Sequence, residues 1–125
     1  MKKIFLSLVL CLSLFSCSSN DDDNPDLIVG TWNLFSLNGT TASDCEKRSF
    51  VTFLANNTAA GENYNTDVNN NCVRIGVDET VQWVNSGNNT YTIGSNSNPL
   101  IWNVVFSDNN NTFTITNQGV VYKRQ

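Results

Sequence analysis

Residues 88–93 read Asn-Asn-Thr-Tyr-Thr-Ile, and 22 positions later residues 110–115 read Asn-Asn-Thr-Phe-Thr-Ile. A third Asn-Asn-Thr starts at Asn56. Asn tolerates the left-handed backbone that tight hairpins demand, so each copy reads as a turn followed by a strand. A repeat of that length holds two strands and two connections, which is the unit of an antiparallel meander.

The same alternation extends on both sides of the repeat. Leu100, Trp102, Val104 and Phe106 fall on one parity, as do Val73, Ile75, Val77, Val81 and Trp83. Gly30, Trp32 and Leu34 share a face near the start, and Val120, Tyr122 and Arg124 share one near the end. Past Asn24 no window of ten or more residues carries an apolar 3.6 period. Strands are therefore expected over 29–37, 47–54, 58–64, 90–94, 100–106, 112–117 and 119–124. One long strand over 73–85 is expected to bend at Asp78-Glu79. Eight antiparallel strands escape the exposed-edge problem by closing on themselves. The expected fold is all-β: a small eight-stranded antiparallel up-and-down barrel with Trp32, Trp83 and Trp102 inside. Phe35 and Leu37 fall on the opposite parity to Trp32 and need cover from elsewhere.

The first residues read as an address. Lys2 and Lys3 precede an apolar run from Ile4 to Phe15, too short for a ~30 Å hydrocarbon core that takes about 20 residues. This is the pattern of a secretory signal peptide. The run ends Leu14-Phe15-Ser16-Cys17, which resembles a bacterial lipobox; the resemblance implies that Cys17 is acylated and begins the mature chain. Residues 18–25, Ser-Ser-Asn-Asp-Asp-Asp-Asn-Pro, contain no apolar side chain and cannot bury enough surface to order themselves. They form either a spacer or, by resemblance to Ser- and Asp-rich export signals, a determinant of surface display. The expected organisation is a signal peptide over 1–16, a lipidated tether over 17–26 and a barrel domain over 27–125, in the cell envelope at the outer membrane.

Composition narrows the chemistry. The 125 residues include no His, which removes His-ligated zinc, Ser-His-Asp triads and Cys-His dyads. Seven Lys and Arg against eleven Asp and Glu give a net charge of −4, unsuited to a nucleic-acid backbone. No cofactor or metal is implied. Asp67 to Asn71 alternates oxygen ligands like a calcium loop, but Cys72 stands where such a loop needs Gly, so loop chemistry is the better reading. Asp44 beside Glu46 and Asp78 beside Glu79 read as solvated edges or as salt-bridge partners of Lys47 and Arg74. Beyond the signal peptide and Cys17 the only thiols are Cys45 and Cys72. An even pair in an oxidising compartment favours a disulfide.

Gly30-Thr31-Trp32 resembles the Gly-x-Trp signature of lipocalins. With Asp44-Cys45-Glu46-Lys47-Arg48, Phe53, Cys72, Trp83 and the final Tyr122-Lys123-Arg124, the chain is similar to the small lipocalin-like domains of bacterial lipoproteins. The resemblance implies that Gly30 and Trp32 close one end of the barrel beneath a basic residue of the last strand; the candidates are Arg124, which parity favours, and Lys123. Short loops and the lack of a helix depart from larger lipocalins, whose deep cup is therefore not implied.

In a meander, connections alternate between the two ends. With Trp32 at the closed end, the turns at Asn56, Asn88 and Asn109–Asn111 lie there too. Residues 38–46, 65–72 and 95–99 then rim the open end, which brings Cys45 near Cys72. Candidate ligand contacts at that mouth are Asp44, Asp67, Asn69, Asn96 and Pro99. Two functions fit such a barrel: a membrane-anchored, monomeric module binding a small apolar or amphipathic ligand, or a solid barrel that engages protein or glycan through its loops or outer face. An empty interior of a few hundred Å³ separates the first from the second.

Overall fold

The hairpin turns are left-handed, as the repeats require. In the computed structural model, which describes residues 25–76, 79–94 and 97–125, every non-glycine residue with positive φ is Asn or Asp: Asn38, Asn57, Asn70, Asn88, Asn89, Asp108, Asn109 and Asn110. Their short polar side chains tolerate this region best after Gly. Cys17, Asp78 and Asn96 lie outside the described residues.

Between these turns run β1 (Gly30–Leu37), β2 (Thr40–Thr41), β3 (Phe50–Phe53), β4 (Thr58–Thr66), β5 (Cys72–Ile75), β6 (Val81–Gly87), β7 (Thr90–Ile93), β8 (Leu100–Ser107), β9 (Thr112–Ile115) and β10 (Val120–Arg124). All pairings are antiparallel, and the last strand closes on the first, from Trp32 opposite Arg124 to Leu37 opposite Val120. The chain thus forms a closed barrel, and no α-helix occurs among the described residues. β2 is a short flap folded back on β1.

Three departures from simple alternation shape the interior. The expected strand over 47–54 begins only at Phe50, because Glu46–Arg48 form a 3-10 turn. The expected strand over 73–85 is two strands sharing one position in the barrel. β5 pairs with residues 63–66 of β4, and β6 pairs with Thr58 and Ala59. Among the described residues, Ala60, Gly61 and Glu62 therefore have no ladder partner on that side, and the described wall is interrupted there. Finally, the register of β1 slips against β10 between Leu34 and Ser36. The extra residue turns Leu37 to the side of Val120, whose other partner, Ile115, is 1% exposed. Leu37 thus faces inward, contrary to parity, while Phe35 stays outside under Lys123 Nζ at 3.8 Å and Lys47 Nζ at 5.6 Å.

The core is concentrated at one end. Ile28, Trp32, Phe53, Val104, Phe113 and Ile115 are all essentially inaccessible. Each such side chain contributes roughly 1.5–3 kcal/mol by leaving water. Their rings meet edge-on or tilted: Trp32 with Phe113 at 4.7 Å, and Phe53 with Trp83 at 5.8 Å.

Candidate binding cavity

The packed end is sealed by the chain's own start and finish. Ile28 plugs the barrel with 0% exposure, and its carbonyl accepts Trp32 Nε1–H at 2.7 Å. Arg124 lies 4.0 Å above the Trp32 ring and donates to the carbonyls of Val29 (2.9 Å), Leu27 (2.9 Å) and Asn110 (3.2 Å). Gly30 (φ 138°) is required beneath it, since a Cβ would strike Arg124 Nη1. Asp26 latches the segment down, accepting from Tyr91 Oη (2.5 Å), Asn85 Nδ2 (2.7 Å) and the Ile28 amide (3.0 Å). Burial and then the bond to Asp26 push the Tyr91 hydroxyl well above the usual tyrosine range.

The other half of the barrel is hollow. A cavity of about 410 Å³ is walled by Phe53, Ala59, Val81, Ile93, Leu100, Trp102 and Tyr122, with Gly61, Asn63 and Glu79 at the interruption in the wall. It opens where Leu100 is 54% exposed. A second cavity of about 410 Å³ lies toward the open end, between Leu34, Leu37, Glu46, Ser49, Asn65, Ile75, Val120 and the shared residues Asn63 and Tyr122. Gly61 is needed for the close approach of β3 and β4: a Cβ there would collide with the Phe50 carbonyl of the adjacent strand. Such volumes suit small ligands.

Hydrogen bonding distinguishes the two halves. Trp32 donates to Ile28, and Trp83 Nε1 donates to the carbonyls of Leu54 (3.2 Å) and Thr58 (3.1 Å). Trp102 Nε1, in the cavity wall, is buried and has no hydrogen-bond acceptor among the described residues. A buried donor left so costs about 1–3 kcal/mol, so the hollow half is less completely satisfied than the sealed one.

Outside the wall, Glu62 accepts from Tyr64 Oη (2.7 Å) and pairs with Arg74 at 3.1 Å. Arg74 therefore meets Glu62 rather than Glu79, and Arg48 covers the Tyr64 ring at 4.8 Å. The hydrogen bond from Tyr64 and then Arg74 hold the Glu62 carboxyl below its ordinary range.

Cys45 and Cys72 form a disulfide with Cα atoms 5.4 Å apart, tying the 3-10 turn to the start of β5. Gly30, Trp32 and Arg124 come together at the sealed end. The mouth residues do not assemble in the same way: Asp44, Asp67, Asn69 and Pro99 line neither interior cavity. Asp67 instead accepts from the amides of Asn69 and Asn71, both at 2.8 Å, and shapes its own hairpin. Asn63 and Glu79, both exposed, border the first cavity at its opening, and Tyr122 borders both cavities; none is among the ligand contacts expected from sequence.

A family model described as a lipocalin-like domain matches residues 28–117. No curated protein and no solved structure matches the chain.

Proposed function

The chain belongs to the lipocalin-like domain family, and on that premise we propose that it is a non-catalytic binding module, held at the cell envelope through Cys17, that takes a small apolar or amphipathic ligand. The observation that carries this reading is the hollow half of the barrel, about 410 Å³ between Phe53, Val81, Ile93 and Trp102. Its site is the interior beside the wall interruption, not the loop residues of the rim. The absence of His from the sequence supports a role in binding rather than acid–base catalysis.

The test uses the full chain carrying Cys17→Ser, so that no acyl group competes for the cavity, and the uncharged fluorophore N-phenylnaphthylamine. A saturable rise in fluorescence at one site per chain is expected, weakened about tenfold or more by Val81→Trp, which fills the cavity. A wild-type protein that gives no saturable signal overturns the reading.

A further inference from the structure

The bases of the barrel stand on one side of it. Besides Lys2 and Lys3, the chain's cations are Lys47, Arg48, Arg74, Lys123 and Arg124. Arg124 is committed to the sealed end. Lys123 lies on β10 opposite Asn33 of β1, Lys47 and Arg48 form the 3-10 turn that leads into β3, and Arg74 lies on β5 opposite Tyr64 of β4. β6, β7, β8 and β9 contain no charged residue at all. Aromatic rings hold the cations at the surface: Lys47 and Lys123 both lie over Phe35, and Arg48 lies over Tyr64. The two ammonium groups over one ring are within a Debye length of each other, about 10 Å, and repel. Among the described residues only Arg74 has a carboxylate partner, Glu62 at 3.1 Å. Glu46 borders the second cavity instead. Lys47, Arg48 and Lys123 are thus a concentration of positive charge that the described fold leaves uncompensated.

We propose that this band of cations binds an acidic polysaccharide on the outer wall of the barrel. The band crosses adjacent strands from β10 through β1, β3 and β4 to β5. Those are four steps of about 4.8 Å, or roughly 20 Å, which is longer than any single small anion. One exposed ion pair raises affinity by about fivefold or less, so several must engage the same chain. A charge on each sugar is sparser than the phosphates of duplex DNA, at one per about 1.7 Å, and matches cations spread over that span. A protein partner would call for apolar anchors at the centre of the contact. None of the exposed large apolar side chains lies on the outer side of β10, β1, β3 or β4; Val84, Ile101 and Val105 belong to the uncharged strands.

The test is calorimetric titration at low salt of the full chain carrying Cys17→Ser. The probes are an alginate hexamer, which is an unbranched polyuronate, its uncharged counterpart maltohexaose, and hexaglutamate as an acidic peptide. The alginate hexamer is expected to bind saturably and maltohexaose not at all. Hexaglutamate is expected to bind at least about fivefold more weakly, because the flexible peptide loses more freedom than the stiffer sugar chain. Lys47→Gln with Lys123→Gln should weaken the alginate hexamer about five- to tenfold, whereas Asp108→Asn at the sealed end should change it less than about twofold. In wild-type protein the amide NMR signals that move should be those of residues 33–36, 47–50, 64 and 123, a readout that stands even where the double variant fails to fold. Equal binding of maltohexaose, hexaglutamate as tight as alginate, or shifts centred on β6 to β9 would each overturn the assignment. Tighter, lysine-dependent binding to phosphatidylglycerol vesicles would overturn it too, by making this wall a membrane contact.

Discussion

Arg124 shows how much a single side chain can close. Its guanidinium satisfies three backbone carbonyls from two separate segments and covers Trp32 at 4.0 Å. A charged planar fork is suited to that task in a way Lys is not. Arg124→Ala is expected to cost about 2–4 kcal/mol, combining lost hydrogen bonds with the cation–π contact. Gly30→Ala is expected to be destabilising as well, through its φ of 138° and the collision with Arg124. Because part of that cost needs the guanidinium, Gly30→Ala should cost less in an Arg124→Ala background. Urea unfolding of the four proteins in the cycle checks this, with a coupling of at least about 0.5 kcal/mol expected. Additive losses would mean that the two residues act separately.

At the scale of elements, the disulfide joins segments that the ladder does not. β5 is only four residues long and pairs with β4 alone, on the open-end side of the interruption. Cys45–Cys72 closes a loop with a sequence separation of 27 residues; the chain-entropy estimate for such a loop is about 3.5 kcal/mol. Reduction, or Cys45→Ser with Cys72→Ser, is expected to lower stability by that order, with amide exchange accelerating first in β5. Urea midpoints and hydrogen exchange measure the two effects, and an unchanged midpoint would contradict them. Much of this architecture is legible in the residues. Asn-Asn-Thr marks turns because few other side chains accept left-handed backbone, and alternating aromatics mark strands because the sheet has two faces. The slip at Phe35 is not legible, since one inserted residue leaves the composition of β1 unchanged and reverses only the facing of Ser36 and Leu37. Nor is the hollow half: the same aromatics can fill a barrel or line one, and alternation does not separate the two.

For the whole molecule, both ends of the described chain meet at the sealed end. Residues 25–29 run past Asn85 and Tyr91, and the Gln125 amide donates to Thr31 at 2.9 Å. With acylation at Cys17, residues 18–25 reach at most about 30 Å, so the sealed end should face the bilayer and the hollow half should face away. On vesicle-bound protein, a bulky amine reagent is expected to label Asn69→Lys faster than Asn110→Lys, and Cys17→Ala should leave the detergent phase altogether. Equal labelling, or undiminished partitioning, would refute the arrangement. The Asp26 latch then acquires a mechanical meaning. Tension on the leash arrives first at Asp26 and Ile28 and only afterwards at β1, which is bonded along both edges, to β10 and to β3. Such a strand cannot be peeled away one bond at a time; it must be dragged lengthwise against two ladders at once. An anchor at Cys17 would thus pull on a strand that is held on both sides.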